Sequence, residues 1–307
     1  MPSPASRRGF FRDATLIAAG AVGGVAGGLM PVSLPAVEPV QRVGKPRFKF
    51  GLAAYSYRDL IGGKSPTLKL EDFIDDCAKM ELEGTELTSY YFPKDATPEY
   101  LRNIKSQCFR LGLDITGTAV GNDFCLPPGE KRVAQLEMVK QWIINAEILG
   151  APVIRIFAGK VSKGQDPAEA HKLAVEGMQQ SCEFAGQHGV FLALENHGGP
   201  TSTADGLLAL VRDVKSPWFG VNVDSGNFHS ANCYEELAQI APYALNCQIK
   251  VVMSPSPGHK EPADYKRLAK IMTDANYRGY IVLEYEEDGN PREVCPGIVR
   301  ELRAAFV

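Results

Sequence analysis

The sequence lacks long uninterrupted apolar runs, basic clusters and closely spaced cysteine pairs. Its longest hydrophobic-looking stretch, Ala14 to Met30, contains five glycines, which argues against stable membrane insertion. The net charge of -3 and the scattered Lys and Arg residues argue against a nucleic-acid partner. The seven cysteines form no CxxC pair, so we expect few or no disulfides. The composition is otherwise that of an ordinary globular protein, since 45% of the 307 residues are hydrophobic.

The N-terminus carries an arginine pair followed by a modest apolar segment. Ser6-Arg7-Arg8-Gly9-Phe10-Phe11 resembles a twin-arginine export signal, and the Pro-rich exit at 31–36 comes in the expected order. A basic disordered tail is the alternative. The resemblance implies export of a folded protein to the periplasm through the twin-arginine machinery. We expect processing between Met30 and Lys45, with a signal and linker over residues 1–45 and a catalytic domain over 46–307.

Short apolar runs alternate with longer amphipathic stretches from Phe48 onward, and the unit occurs eight times. The predicted strands are Phe48–Tyr57, Thr85–Phe92, Leu113–Val120, Pro152–Ala158, Val190–Asn196, Phe219–Asp224, Asn246–Val252 and Tyr280–Tyr285. The predicted helices are Leu68–Met80, Pro98–Leu111, Lys131–Leu149, Pro167–His188, Ala204–Val214, Tyr234–Ala244, Ala263–Ala275 and Arg292–Phe306. Eight such units predict an α/β fold, a closed (β/α)8 TIM barrel.

A doubly wound open sheet is the rival architecture. It normally has fewer strands, and none of the predicted strand-to-helix turns carries a GxGxxG or GxxxxGK[ST] phosphate loop. The barrel is therefore favoured.

Four neighbouring predicted strands carry oxygen-bearing side chains at or near their carboxyl ends. These residues are Glu195, Asp224, Gln248 and Glu284. Any single carboxylate after an apolar run is usually a helix cap or a solvated loop residue. Three carboxylates in one barrel mouth would instead repel one another unless a cation neutralised them. An all-oxygen set favours Mn²⁺ or Mg²⁺ over Zn²⁺.

The segments around these residues resemble a known group of enzymes. Ala193–His197, Asn222–Asn227, Gln248–Lys250 and Gly279–Glu286 are similar to the sugar phosphate isomerase/epimerase family of xylose-isomerase-like TIM barrels, which includes ketose 3-epimerases, hydroxypyruvate isomerases and inosose dehydratases. The resemblance covers Phe48 to Val307. It implies one divalent metal, Mn²⁺ first with Mg²⁺ or Co²⁺ as alternatives, bound by Glu195, Asp224, Gln248 and Glu284. It also implies that Glu195 and Glu284 exchange a proton across the substrate as base and acid.

Many members of the family have His where Gln248 stands, although the hydroxypyruvate isomerase branch has Gln. Two further positions depart from the family pattern. Asn227 stands where ketose epimerases place His, and His259, in the segment 257–262, stands where hydroxypyruvate isomerases have Arg. Both are predicted substrate-binding positions. His197 and Lys250 are added because each lies two residues beyond a predicted ligand and so shares its direction on the strand. Glu86 and Arg155, inside apolar strands, are expected to form a buried ion pair or to contact substrate.

The resulting hypothesis is a metal-dependent isomerase or epimerase of a keto-sugar, acting through an enediolate. Export favours a free sugar or keto-glycoside as the small-molecule substrate. A 3-keto-glycoside lyase or inosose-type dehydratase would use the same metal and base, and so stays open. A non-catalytic sugar-binding protein is a further alternative. A DNA repair nuclease with this barrel would need a histidine-rich three-metal cluster, for which five histidines are too few.

Overall fold

The computed structural model describes residues 37–256 and 258–307, so the twin-arginine motif and Pro257 lie outside the described residues. Eight parallel strands close into a barrel in the order β1-β10-β7-β6-β5-β4-β3-β2. The barrel strands are β1 (Arg47–Ala53), β2 (Gly84–Thr88), β3 (Asp114–Ala119), β4 (Val153–Ile156), β5 (Phe191–Glu195), β6 (Phe219–Asp224), β7 (Ala244–Ile249) and β10 (Arg278–Leu283). The predicted fold class is confirmed.

Helices follow the strands and cover the barrel. They are α1 (Arg58–Ile61), α2 (Leu70–Lys79), α3 (Pro98–Arg110), α4 (Glu130–Leu149), α5 (Pro167–Gln187), α6 (Ala204–Asp213), α7 (Cys233–Ile240), α8 (Tyr265–Asp274) and α9 (Pro291–Ala305). Local sequence sets their ends. Thr97 caps α3 by accepting a hydrogen bond from the Tyr100 amide at 3.2 Å, ahead of Pro98 in the first turn. Gly150 ends α4 in a left-handed conformation at φ 76°.

The structure corrects the sequence prediction at several element ends. The run Phe48–Tyr57 is a strand only to Ala53, and Ala54–Tyr57 form a 3₁₀ turn whose Ser56 Oγ accepts a hydrogen bond from the Tyr285 amide at 2.9 Å. An apolar run alone does not distinguish a buried strand from a buried turn. The prediction also omitted helix α1 and an antiparallel hairpin, β8 (Val252–Ser256) and β9 (His259–Pro262), inserted after β7.

A segment before β1 packs across the N-terminal end of the barrel. The Val40 amide donates a hydrogen bond to the Pro242 carbonyl at 3.0 Å, and Asn276 Nδ2 donates to the Arg42 carbonyl at 3.2 Å. The Arg42 guanidinium lies 5.2 Å from the centroid of the Tyr277 ring. Together these contacts fix residues 40–42 to the barrel on the side opposite the carboxyl ends of the strands.

Apolar side chains fill the space between the strands and the helices, with Leu192, Leu194 and Val221 fully buried. All seven cysteines are buried and free, as the sequence predicted. Within the residues that the structure describes, no helix has both the length and the apolar character needed to cross a bilayer. Buried polar side chains also lie inside the barrel, among them Glu86, Asn222 and Gln248.

Candidate active site

Glu195, the last residue of β5, is surrounded by donors on both carboxylate oxygens. Its Oε2 lies 2.9 Å from Arg155 Nε and accepts a hydrogen bond from Asn222 Nδ2 at 3.3 Å. Its Oε1 lies 2.9 Å from His197 Nδ1 and accepts from Asn227 Nδ2 at 3.0 Å. Arg155 and Asn222 are buried, whereas His197 is half exposed. Oε2 therefore faces the barrel interior and Oε1 faces the mouth.

Arg155, on β4, is a buried cation whose position is fixed by three contacts. In addition to the ion pair with Glu195, its Nη1 donates a hydrogen bond to the Val120 carbonyl at 2.8 Å. Its guanidinium lies 4.0 Å from the centroid of the Phe157 ring. Burial opposes the charged form, but Glu195, Tyr90 and Glu284 together outweigh it and raise the pKa of Arg155. Arg155 therefore holds Glu195 as an oriented carboxylate.

Lys250, directly after β7, brings three carboxylates together. Its Nζ lies 2.8 Å from Glu284 Oε2, 2.9 Å from Glu286 Oε2 and 3.2 Å from Asp224 Oδ2. The lysine side chain is only 9% exposed, Asp224 is fully buried and Glu284 nearly so, whereas Glu286 is 37% exposed. The second cation of the site thus bridges two buried carboxylates and one at the rim.

The two buried carboxyls beside Lys250 are shifted in opposite directions. Burial, reinforced by Glu195 and Glu284, raises the pKa of Asp224 well above its ordinary value. Burial also acts to raise the pKa of Glu284, but the Lys250 ammonium, Arg155 and a hydrogen bond with Asp224 together outweigh it and lower that pKa. Neighbouring carboxyls in a poorly solvated site cannot both ionise without cost, and the Lys250 ammonium offsets part of that cost.

Gln248 is oriented by a buried amide and carboxyl network below the mouth. Its Nε2 donates a hydrogen bond to Glu86 Oε1 at 2.6 Å, and its Oε1 accepts from Asn222 Nδ2 at 2.7 Å. Asn246 Nδ2 donates to Glu86 Oε2 at 2.7 Å. Burial raises the pKa of Glu86 to about 7. The amide oxygen of Gln248 is consequently turned toward Asn222 on the neighbouring strand.

The structure brings most of the predicted site residues together. His197 and Asn227 contact Glu195, while Asp224 and Glu284 meet at Lys250. His259 does not join them. It lies on β9 with its side chain 62% exposed, and its Nε2 is 3.9 Å from Glu261 Oε2.

Of the two alternatives for Glu86 and Arg155, the ion pair is wrong, because Arg155 pairs with Glu195 and Glu86 with the amides of Asn246 and Gln248. Contact with substrate stays a prediction. The sequence reasoning also missed Asn222, Asn246 and Glu286. Each lies two residues from a predicted ligand, so the alternation of strand side chains was the signal that could have found them.

The buried charges fit a divalent cation. Four carboxylates and two cations of the barrel interior and its mouth are buried: Glu86, Glu195, Asp224, Glu284, Arg155 and Lys250. Two negative charges are thus left over, a cost that bound protons or one divalent cation would offset. Asp224 Oδ2, fully buried, accepts no hydrogen bond from the described residues although Lys250 Nζ is near. Carboxylate oxygens are the ligands that Mn²⁺ and Mg²⁺ prefer.

The present side-chain positions differ from a ready-made metal site. Among residues 37–256 and 258–307, no group of three or more His, Cys, Asp or Glu side chains is arranged to hold a metal ion. The three carboxylates that converge do so on Lys250 Nζ, and Glu195 and Gln248 face other partners. The donor atoms are thus of the type that binds a divalent cation, but in this structure the Lys250 ammonium lies among them.

A cleft of about 300 Å³ opens beside His197 at the carboxyl ends of the strands. Its lining includes Asn122, Phe157, Lys160 and His197, a mixture of apolar, polar and cationic groups. A cleft of about 690 Å³ lies around Tyr90 and Gly121, also beyond the carboxyl ends of strands, and clefts of about 480 and 460 Å³ lie around Phe109 and around Val40. None of these clefts, nor the one beside His197, is lined by Glu195, Asp224 or Glu284. The cleft beside His197 is the one whose lining contacts Glu195, through His197.

Several solved structures share this fold at low sequence identity. A 3-keto-D-glucoside 4-epimerase from E. coli is 15% identical with a TM-score of 0.65, over 84% of this chain and 100% of that one. A D-psicose 3-epimerase from Clostridium cellulolyticum is 14% identical with a TM-score of 0.69, over 84% and 99%. A probable 3-DHS dehydratase from Bacillus anthracis is 19% identical with a TM-score of 0.67, over 83% and 98%.

At these identities the solved structures establish the fold alone. No curated protein matches the sequence. The model of one protein family matches residues 74–304, a span that runs from α2 to the end of α9 and includes every residue of the buried charge cluster. This chain belongs to the xylose isomerase-like TIM barrel family.

Proposed function

We propose that this protein is a divalent-metal-dependent isomerase or epimerase of a keto-sugar, with Glu195 and Glu284 as its acid-base pair. One observation carries the proposal: both glutamates lie buried in the same barrel mouth, and each is paired with its own buried cation, Arg155 or Lys250. Moving a proton between the two faces of one carbon calls for a base on one face and an acid on the other, and two such carboxyl groups can supply them.

A divalent cation, Mn²⁺ first, would be held by Glu195, Asp224, Gln248 and Glu284. When bound it would polarise the sugar carbonyl and the adjacent hydroxyl, which acidifies the neighbouring C–H bond. Glu195 Oε1 is the mouth-facing oxygen and therefore the proton acceptor. His197 and Asn227, which now donate to it, would turn to substrate hydroxyls when that oxygen takes up the proton.

A lyase is the second candidate, and Glu286 favours it. A lyase begins with the same proton abstraction and then expels a group from the β carbon, which needs an acid to protonate the departing oxygen. Glu286, 37% exposed and 2.9 Å from Lys250 Nζ, is an additional carboxyl at the rim where such a group would leave. A 3-keto-glycoside would then be the substrate, and the products would separate isomerisation from elimination.

The function is tested by incubating the protein with Mn²⁺ and a panel of keto-sugars and 3-keto-glycosides in D₂O. We expect deuterium to replace the hydrogen next to the carbonyl of the true substrate, with an isomer, an epimer or an elimination product appearing alongside. A sugar that binds but exchanges no hydrogen under any condition would indicate a non-catalytic sugar-binding protein instead.

Metal binding gives a prediction for stability. A ligand that binds only the folded state adds about 2.7 kcal/mol at one hundred times its Kd. For a domain of this size we therefore expect added Mn²⁺ to raise the Tm of the metal-free protein by about 5–10 °C. Differential scanning fluorimetry measures the shift, and elemental analysis of protein purified without chelator should give near-stoichiometric metal.

Two variants control the metal prediction. Asp224→Asn removes a central ligand and should lose most of the Tm response, whereas Glu137→Gln changes an exposed helix carboxylate and should retain it. An unchanged Tm of the wild-type protein over a wide range of Mn²⁺ concentrations would contradict the proposed metal site.

We also propose that the protein is exported folded to the periplasm, since Arg7 and Arg8 form the core of a twin-arginine motif. Replacing both with Lys should leave the full-length form in the cytoplasm, as seen by cell fractionation and immunoblotting. Replacing Arg12 alone with Lys is the matched control and should leave export intact. Normal export of the Arg7→Lys, Arg8→Lys variant would show that the motif does not direct export.

A further inference from the structure

We propose that the Lys250 ammonium is a resident cation of the metal site, so that metal binds by displacing it from Asp224 and Glu284 onto Glu286. This inference rests on the metal site of the proposed function and concerns how that site is filled. Its readout is metal affinity, which is independent of whether any sugar is turned over.

The position of Lys250 is built into the fold. Its Nζ lies within 3.2 Å of carboxylate oxygens of Asp224, Glu284 and Glu286, which places one positive charge among three negative ones. Its backbone amide donates a hydrogen bond to Ser225 Oγ at 2.8 Å. Gly226 leaves room for the lysine stem, since a Cβ at that position would lie 2.7 Å from Lys250 Cδ. The ammonium thus occupies the point at which the carboxylates converge.

A cation at that point and a metal ion would compete for the same oxygens. Asp224 and Glu284 are predicted metal ligands, and both carboxylates lie against Lys250 Nζ. A divalent cation bound at the same two groups would stand within a few ångströms of the ammonium, where like charges repel strongly because the site is poorly solvated. Metal binding therefore requires the ammonium to move.

Glu286 provides the place to which the ammonium moves. It is the one carboxylate of the three that reaches solvent, with its side chain 37% exposed, and it already lies 2.9 Å from Lys250 Nζ. Lysine has a flexible four-carbon stem, so a rotation can carry its ammonium toward the rim without moving the strand. The two buried carboxylates are then free for the metal, and the charge of the lysine stays paired.

The test is the Mn²⁺ affinity of variants, measured by isothermal titration calorimetry on the full mature chain at one pH and ionic strength. Lys250→Met removes the competing cation and keeps a long apolar stem, so its Kd for Mn²⁺ should fall at least tenfold below that of the wild-type protein. Lys260→Met is the matched control, because Lys260 is an exposed lysine paired with Glu287 at 2.9 Å. It should leave the Kd within about twofold, since exposed charges are largely screened.

Glu286→Gln keeps the lysine and removes its partner at the rim, so its Kd should rise several-fold. If Lys250→Met does not fold, the Kd of Glu286→Gln for Mn²⁺ tests the displacement by itself. A Lys250→Met Kd that equals that of Lys260→Met, or a Glu286→Gln Kd that equals the wild-type value, would overturn the displacement. If neither the wild-type protein nor any variant bound Mn²⁺, the displacement would also be overturned. Sugar turnover by the protein without metal would still support an isomerase or epimerase.

Discussion

Replacing Glu195 or Glu284 with Gln is expected to lower turnover by about a hundredfold to ten-thousandfold, the usual cost of removing a general acid or base. The change keeps an oxygen ligand and nearly the same shape while it removes the basic carboxylate. Exchange of the substrate hydrogen with D₂O should fall in parallel, and each variant should retain some affinity for Mn²⁺. Steady-state kinetics and NMR of the exchange measure the two losses separately.

Glu137→Gln serves as the matched control for both substitutions. Glu137 lies on the exposed face of α4 with its side chain 64% exposed, so its loss should leave the rate unchanged. Wild-type exchange in the Glu195→Gln or Glu284→Gln variant would mean that the base lies elsewhere. Lys250 and His197 would then be the next candidates, because both side chains already contact a glutamate of the mouth.

Replacing Arg155 with Met should lower the free energy of unfolding by about 3–5 kcal/mol, because the change leaves the buried Glu195 carboxylate without its ionic partner. The Val120 carbonyl also loses the hydrogen bond that it accepts from Arg155 Nη1. Urea denaturation followed by circular dichroism measures the change. Mn²⁺ should recover part of the lost stability, since a bound cation supplies charge to the same group of carboxylates.

Two further variants separate charge from packing in that experiment. In the double variant Arg155→Met, Glu195→Gln the unpaired carboxylate is gone, so it should unfold at a higher urea concentration than Arg155→Met alone. Lys140→Met breaks an exposed ion pair with Glu137 and should cost less than about 1 kcal/mol. If Arg155→Met cost no more than Lys140→Met, the Arg155–Glu195 pair would not be a main support of the site.

The sequence was sufficient to predict the barrel, because hydrophobic periodicity and turn residues mark each strand and helix locally. Strand β6 begins and ends where the pattern predicted, at Phe219 and Asp224. The hairpin β8–β9 was not predicted, since Val252–Pro262 contains two short half-exposed strands with prolines and no clear alternation. The predicted end of a strand was wrong where a buried turn continued an apolar run, as at Ala54–Tyr57.

Which side chains contact one another inside the barrel was harder to predict than where each residue lies along its strand. Alternation along a strand tells which side chains point inward, but the stagger between strands decides which inward residues share a layer. Glu86 therefore contacts Asn246 and Gln248 rather than Arg155. Lys250 was predicted to bind substrate, and its position at the centre of three carboxylates was not foreseen. The convergence of several strands on one point is a property of the closed sheet that no single segment encodes.

The segment that packs across the base of the barrel limits where a peptidase could cut a chain exported in the folded state. A peptidase must draw several residues of extended backbone into its own cleft. The backbone at Val40 and Arg42 is already hydrogen-bonded to Pro242 and Asn276, so it is not free to be drawn away. If the chain is processed as we propose, within the interval from Met30 to Lys45, we expect the scissile bond on the N-terminal side of Val40, and residues 40–45 would stay packed against the barrel.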